Sequence, residues 1–177
     1  MFVTDRLTLI PHTVELLLAE MHDHDELARI LSASVPENWP PESTVDALPF
    51  FLSCVESSPD QVGWFGWYAV TTRTDKTPPV LVGGAGFMGP PEGGLVQMGY
   101  SVIEQYCRKG YATEMVGGLV NWAFAHAECT LVSAETEWAN PYSVRVLEKN
   151  GFIRVGPGSV AGGSKYERSD ANLPATE

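Results

Sequence analysis

Gln105-Tyr106-Cys107-Arg108-Lys109-Gly110-Tyr111-Ala112-Thr113-Glu114 is the stretch on which the reading of this chain turns. A strand-like run, Leu95 to Ile103, leads into it, and a pattern of helical period follows. A strand that feeds a basic, glycine-bearing turn into a helix N-terminus is a device for holding phosphate. The N–H groups of the turn converge, and the helix dipole favours negative charge there. The alternative is an ordinary strand-to-helix connection with a solvated Arg108-Lys109 pair. This stretch alone does not separate the two, because short glycine motifs match often by chance.

Downstream, Ala112, Met115, Val116, Leu119, Val120 and Ala123 recur at helical spacing through about Ala127. Leu131 to Thr136 alternates as a strand does, and Asn140-Pro141 opens a short helix, with Asn at the cap and Pro at the first helical position. Val144 and Leu147 bury one side of that helix, and Asn150-Gly151 ends it. Phe152 to Val155 and Ser164 to Arg168 make a final strand pair, and the polar tail after Ser169 is expected to be loose.

Upstream, Arg6 to Ile10 reads as a first strand, Thr13 to Met21 as a helix and Asp25 to Leu31 as a second, short one. His22-Asp23-His24-Asp25 between them is read as a solvated loop rather than a metal site, since residues two apart do not share a helix face. Val35 to Pro41, with three prolines and Trp39, is a loop leaning over something. Ser43-Thr44-Val45-Asp46 resembles a capped helix start, but Pro49 demands either a kink or a helix that begins near Leu48. Trp64 to Thr72, Val80 to Met88 and Leu95 to Ile103 then form a three-strand meander, joined by a polar loop from Thr72 to Pro79 and a turn at Gly89 to Gly94. Gly99 inside the third strand predicts a bulge or a close backbone approach.

The 177 residues suit one domain, over 1–169, with 170–177 as the loose tail. A hydrophobic fraction of 44% and a charged fraction of 19% suit a soluble globular chain. The longest apolar runs fall far short of the roughly 20 residues that span a bilayer. The start, Met1-Phe2-Val3-Thr4-Asp5-Arg6, has no basic stretch followed by an apolar core, so no secretory signal is expected. Three cysteines at unrelated spacings, Cys54, Cys107 and Cys129, fit a reduced cytoplasm better than a disulfide frame. A net charge of −11 argues against nucleic-acid binding and agrees with a cationic partner such as an amine, or simply with solubility.

The element order and the residues on it resemble the GNAT acetyl-CoA-dependent N-acetyltransferases, in particular the RimJ/RimL-type branch. Three stretches carry the likeness: Thr4 to Leu9; Gly99-Tyr100 with Gly110 to Glu114; and Asn140 through Ser143 to Leu147-Glu148-Lys149-Asn150-Gly151-Phe152. The resemblance implies an α+β fold, with a mixed central β-sheet, an antiparallel N-terminal meander and helices on both faces. It implies strands that splay apart to take the pantetheine arm along Gly99, Tyr100, Ser101, Val102 and Ile103, with the bulge at Gly99. The pyrophosphate is then expected on the turn formed by Cys107, Arg108, Lys109, Gly110, Tyr111, Ala112 and Thr113, and Asn140 and Ser143 against the CoA arm. Two residues depart from the pattern: Cys107 stands where Gln or Arg is usual, and Arg108 where Gly is common.

Acetyl transfer requires a neutral amine, a held oxyanion and release of the thiolate. The resemblance assigns the second to a backbone N–H near Met98 to Ser101. It assigns the third to Ser143, with Tyr142 as the substitute; a helix-end Ser satisfying an N-terminal amide remains the other reading of Ser143. The branch's usual Glu two residues before the Gly-Tyr pair is here Gln97, which cannot accept a proton. Glu135 and Glu104 are the substitutes in principle. Trp39, Trp64, Trp67 and Trp138 are candidates for the acceptor site or for core packing. The expected cosubstrate is acetyl-CoA, with no metal. The expected acceptor is a small-molecule amine or a protein N-terminus, and the expected assembly a monomer or homodimer. Gln97 and Cys107 leave open a non-catalytic acyl-CoA-binding module. A nucleotide-binding protein using the same turn is disfavoured, since neither Gly-x-Gly-x-x-Gly after a first strand nor a Gly-Lys-Ser/Thr loop is present.

Overall fold

A computed structural model of the chain describes residues 1–74 and 77–170, with the backbone alone at 42 and 43. The cap expected from Ser43 and most of the expected tail thus lie outside the described residues.

Eight strands form one mixed sheet: β1 (Phe2–Val3), β2 (Leu7–Pro11), β3 (Gly66–Thr71), β4 (Leu81–Phe87), β5 (Leu95–Val102), β6 (Leu131–Glu137), β7 (Ile153–Pro157) and β8 (Gly163–Ser169). Their order is β1-β2-β3-β4-β5-β6-β8-β7. β1 to β5 are antiparallel neighbours, as a meander dictates, and β5 meets β6 in parallel because α5 (Tyr111–Phe124) crosses over between them.

Five apolar side chains of α5, Met115, Val116, Leu119, Val120 and Ala123, are buried against one face of the sheet with Leu7, Leu9, Val82, Phe87 and Met98. Burying a large apolar side chain contributes about 1.5–3 kcal/mol, so this stripe anchors the helix. The close seat is visible at Gly118, where a Cβ would come within 3.0 Å of Thr4 and 3.2 Å of Phe2. α6 (Pro141–Lys149) joins the same layer through Leu147.

The opposite face is covered by α1 (Val14–His22), α2 (His24–Leu31) and α4 (Leu48–Ser57). Thr13 caps α1, and Asp23 both ends α1 and caps α2, accepting from the amides of Asp25 and Glu26. Pro49 sits in the first turn of α4, where a missing N–H costs nothing; a separate short turn, α3 (Glu42–Val45), precedes it. Among the described residues, no helix is long and apolar enough to cross a membrane.

The decisive feature of the sheet is where β5 and β6 part. They pair only from Leu95↔Leu131 to Met98↔Ala134. Beyond that, Gly99 to Val102 stay with β4, while Glu135 to Glu137 stay with β8. A V-shaped gap opens at Gly99, as the family resemblance implies. The expected bulge at Gly99 is absent: β4 and β5 keep one register from Phe87↔Met98 to Gly83↔Val102. Divergence of β6, not a kink in β5, makes the gap. The sheet's irregularities lie elsewhere, at Ala69/Val70 and Arg154/Gly156.

Candidate active site

The turn after β5 is built from left-handed backbone. A 3-10 turn, Glu104–Tyr106, leads to Cys107 in extended conformation. Arg108 follows at φ 60° and Gly110 at φ 86°. Positive φ suits the glycine that the family resemblance implies at 108: an L-residue there costs about 1–2 kcal/mol. Gly110 is the N-cap of α5 and brings no side-chain cap, so the first-turn amides of Tyr111, Ala112 and Thr113 have no intrahelical or capping acceptor. The dipole adds a partial positive charge at the same place.

Arg6 braces this turn from β2's side. Its Nη1 donates to the Lys109 carbonyl at 2.9 Å and its Nε to Glu114 Oε2 at 2.8 Å. The Arg6 backbone N–H and the Thr4 hydroxyl both donate to Glu114 Oε1 at 2.6 Å. Burial alone would raise the Glu114 pKa, but these donors and the guanidinium charge outweigh it and hold the carboxyl below its ordinary range. The guanidinium also lies 4.9 Å from the Tyr111 ring centroid.

α6 faces the gap from the other side. Asn140 Oδ1 accepts from the Ser143 amide at 3.1 Å, so Asn140 is the N-cap expected from Asn-Pro. The Ser143 Oγ is hydrogen-bonded to the Tyr100 hydroxyl at 2.7 Å, and that hydroxyl also donates to the Ser143 carbonyl at 3.1 Å. Burial pushes the Tyr100 pKa up despite the Ser143 bond, so the phenol stays protonated. At the far end of α6, Asn150 Nδ2 donates to the Thr113 carbonyl at 3.1 Å, tying α6 to the first turn of α5.

Two cavities meet at this point. The larger, about 790 Å³, runs from the β5 edge over the turn to α6. Its walls include Tyr100, Ser101, Val102, Cys107, Arg108, Gly110, Tyr111, Ala112, Thr113, Asn140, Tyr142 and Ser143. The smaller, about 320 Å³, lies under α1, α4 and the loop carrying Trp39. Tyr100 and Ser101 belong to both, so β5 beyond Met98 is the partition between them.

Sequence reasoning missed several wall residues of the larger cavity. Arg145 and Lys149 lie one helical turn apart on α6; that spacing was the available signal. With Arg108 they place three of the chain's eleven Lys and Arg residues around one groove, partly offset by Glu104, in a protein of net charge −11. Three expected cofactor residues are elsewhere. Gly99 lines the smaller cavity, Ile103 is buried in the core on the α1/α2 face, and Lys109 turns its Nζ over the Tyr106 ring at 4.9 Å.

The substitutes for a general base are also displaced. Glu135, past the fork on β6, accepts from the Ser159 amide and hydroxyl at 2.7 Å each, and those bonds hold its pKa low. It lines neither cavity, because β6 carries it toward β8. Gln97 is exposed on β5 before the fork and lines neither cavity. Glu104 borders only the larger cavity. Of the four candidate tryptophans, Trp39 and Trp67 line the smaller cavity, Trp64 is core, and Trp138 is 70% exposed.

One carboxylate in the smaller cavity escaped sequence reasoning altogether. Glu20, on α1, is buried and accepts a short hydrogen bond from the Tyr68 hydroxyl at Oε2. Desolvation raises its pKa to about 7, against the opposing effects of Tyr68 and Trp39. His12 beside it packs on Tyr68 with ring centroids 4.4 Å apart and the planes tilted by 39°, and burial lowers its pKa to about 3, so it is neutral. In the sequence Glu20 merely extends an amphipathic helix, and only the tertiary fold reveals that it faces inward.

With this geometry in place, the chain can be set beside known proteins. The family model described as acetyltransferase (GNAT) domain matches residues 6–153. An uncharacterized N-acetyltransferase of Bacillus subtilis (strain 168), YjdG, is 30% identical over 151 residues, covering 85% of this chain and 88% of that protein. Among solved structures, a GNAT-family acetyltransferase from Bacillus anthracis superposes with a TM-score of 0.62 at 19% identity, covering 96% of this chain and 98% of that one. A ribosomal-protein alanine acetyltransferase from Vibrio fischeri gives 0.63 at 14% identity, covering 97% of each chain. The aminoglycoside acetyltransferase AAC(6')-Ib, in complex with coenzyme A, gives 0.57 at 19% identity, covering 92% of this chain and 94% of that one.

Proposed function

The chain belongs to the acetyltransferase (GNAT) family, and on that premise we propose that it moves an acetyl group from acetyl-CoA to a primary amine by direct attack on the thioester. One observation carries the reading: the larger cavity joins an unpaired strand edge, a left-handed phosphate turn and the Tyr100–Ser143 hydroxyl pair, and it meets a second cavity at Tyr100 and Ser101. A donor groove and an acceptor pocket that touch at one point are what a direct transfer requires.

The residues fit the donor. The splayed edge of Tyr100 to Val102 offers backbone groups that β6 does not take, suited to the amides of a pantetheine arm. The uncapped amides of Tyr111 to Thr113, the turn at Arg108 to Gly110 and the cations of Arg145 and Lys149 suit its phosphates. Acetyl-CoA supplies the activated acetyl carbon and a thiolate leaving group.

The chain's own residues handle the protons. Going from an ammonium to an amide, the nitrogen gives up two protons, one of which ends on CoA sulfur and one in solvent. Ser143, backed by the Tyr100 hydroxyl, is placed to donate to sulfur and to be refilled through Tyr100. Two features support placing the chain in the RimJ/RimL-like branch: the Asn140–Ser143 cap, and the fold likeness to a ribosomal-protein acetyltransferase.

The test is release of free thiol from acetyl-CoA across a panel of primary amines, with acetyl-CoA affinity measured by calorimetry. Turnover on at least one amine is expected. Gly110→Glu, which adds a charged side chain where backbone must meet phosphate and where a Cβ already lies 3.1 Å from Arg6 Nη2, is expected to abolish acetyl-CoA binding. Near-normal affinity in that variant would refute the phosphate assignment.

A further inference from the structure

The smaller cavity has a composition of its own. Trp39, Leu48, Phe51, Trp67, Phe87 and Met88 make its walls apolar. Into these walls the fold sets one ionisable acid, Glu20, which is 3% exposed. One of its oxygens, Oε2, accepts from the Tyr68 hydroxyl. Two further polar atoms on the same wall are buried without partners among the described residues, His12 Nδ1 and Trp39 Nε1. The Trp39 indole faces the Glu20 carboxylate, yet its N–H reaches no acceptor in hydrogen-bond geometry.

Leaving buried polar groups unpaired costs about 1–3 kcal/mol each, and natural cores seldom tolerate it without a reason. Here the residues that carry the orphaned atoms, His12 and Trp39, line with Glu20 a cavity that opens onto the point where acetyl transfer would occur. A volume of about 320 Å³ lies at the small end for ligand sites. A polycation would place its further charges against Trp and Phe side chains with no second carboxylate to meet them.

We infer that this cavity is the acceptor site, that it takes a compact monoamine on an apolar skeleton, and that Glu20 holds the ammonium and removes its first proton. The inference rests on the acetyl-transfer reading and goes beyond it in naming the substrate class and the base. The step balances: RNH3⁺ and the Glu20 carboxylate give RNH2 and the Glu20 carboxylic acid. The neutral amine attacks the acetyl carbon and the C–S bond breaks. The second nitrogen proton replaces the one that Ser143 delivers to sulfur, and Glu20 returns its proton to solvent. Gln97, which lines neither cavity, then needs no catalytic role.

The groups facing Glu20 are Tyr68 from β3, Trp39 from the loop and, through the Glu20 carbonyl, His24 Nε2 at 3.1 Å. Neither Tyr68 nor Trp39 titrates near neutrality, and His24 meets only the Glu20 backbone carbonyl, so the part of an ionisation near pH 7 in kcat/KM that Glu20→Gln removes is attributable to Glu20.

The experiment compares arylalkyl and branched alkyl monoamines with spermidine, an aminoglycoside and a short peptide as acceptors. It is run on the wild-type chain, Glu20→Gln and Gly99→Leu. Gly99 lines the cavity and a Cβ there meets nothing within 4 Å, so a leucine enters the acceptor space without displacing backbone. The monoamines are expected to be the best acceptors. Glu20→Gln should lower kcat/KM by about 10²-fold or more and erase its acid limb near pH 7, with acetyl-CoA affinity retained and a thermal midpoint no lower than that of the wild type at pH 8. Gly99→Leu should raise KM for the amine at least tenfold with acetyl-CoA affinity unchanged. Amine turnover indifferent to both variants, or confined to polycations or peptides, would overturn the inference and leave the acetyl-transfer reading standing. A wild-type chain that binds acetyl-CoA and acetylates no amine would bring down both.

Discussion

Arg6 and Glu114, 108 positions apart, meet through the Arg6 backbone amide at 2.6 Å and its guanidinium at 2.8 Å. The same guanidinium reaches the Lys109 carbonyl, so one side chain just before β2 ties the turn to the first turn of α5. Two stretches that the sequence resemblance matched separately, Thr4 to Leu9 and Gly110 to Glu114, are thus one mechanical unit.

Glu114→Gln tests that unit. Each charge-assisted bond it weakens is worth about 1.5–3 kcal/mol at most, and Arg6 is half exposed, so a total loss of about 1–2 kcal/mol is expected. The sign with pH follows from the lowered pKa. The carboxylate's contribution is present above its ordinary value of 4.5 and is lost as pH falls through the folded value. Denaturant melts of the two proteins should therefore differ at pH 7, and the gap should close as pH falls from 4.5 through the lowered folded value. A constant gap across that range would show that charge is not what Glu114 contributes.

Arg108→Gly removes an L-residue from φ 60°. Relief of the left-handed conformation should raise stability by about 1 kcal/mol, read as a higher denaturant midpoint at unchanged slope. The same change deletes a cation from the donor groove. Acetyl-CoA affinity should fall several-fold at low salt, with the difference shrinking as salt rises. Equal affinity at low salt would mean that the backbone alone holds the phosphate.

Ser143→Ala and Tyr100→Phe probe the hydroxyl pair. Removing Ser143 Oγ should lower kcat by about 10²-fold with acetyl-CoA affinity within twofold of wild type. Tyr100→Phe leaves Oγ in place without its 2.7 Å partner, so a smaller loss, about tenfold, is expected. Because the two act through one hydrogen bond, the double variant should be little worse than Ser143→Ala alone. Additive losses, or unchanged turnover in Ser143→Ala, would return Ser143 to a helix-end role.

The elements were legible because period and punctuation agreed. Asn140-Pro141 predicted a cap that the Ser143 amide completes, and Pro49 forced the helix start that α4 adopts. The left-handed turn into α5 was legible from Gly110 and its flanks, which need only local backbone rules. The Gly99 bulge was not, because the fork between β5 and β6 depends on where a partner strand leaves, which no residue of β5 encodes. Glu135 was misplaced for the same reason, its strand following β8 instead of β5. Glu20 was invisible because a carboxylate in an amphipathic helix reads as solvent-facing; only the packing of α1 against Tyr68 turns it inward.

Glu20 and His12 should give the chain an unusual pH dependence of stability. Folding raises the Glu20 pKa from 4.5 to about 7, so the folded state binds this proton more tightly and stability falls as pH rises through that window. The full cost, on the order of 3 kcal/mol, is reached only above pH 7. Folding lowers the His12 pKa from 6.5 to about 3, so the folded state binds this proton less and stability falls as pH drops below 6.5. Between pH 4.5 and 6.5 the two slopes oppose each other, and the wild-type curve is expected to be nearly flat there. Glu20→Gln keeps an oxygen for the Tyr68 hydroxyl but removes one slope. Its stability should climb from acid to pH 6.5, level off, and exceed wild type at pH 8 by about 1–3 kcal/mol. Urea unfolding at four pH values from 5 to 8 decides the matter. Parallel curves for the two proteins would mean that Glu20 does not carry the desolvated charge on which its proposed role depends.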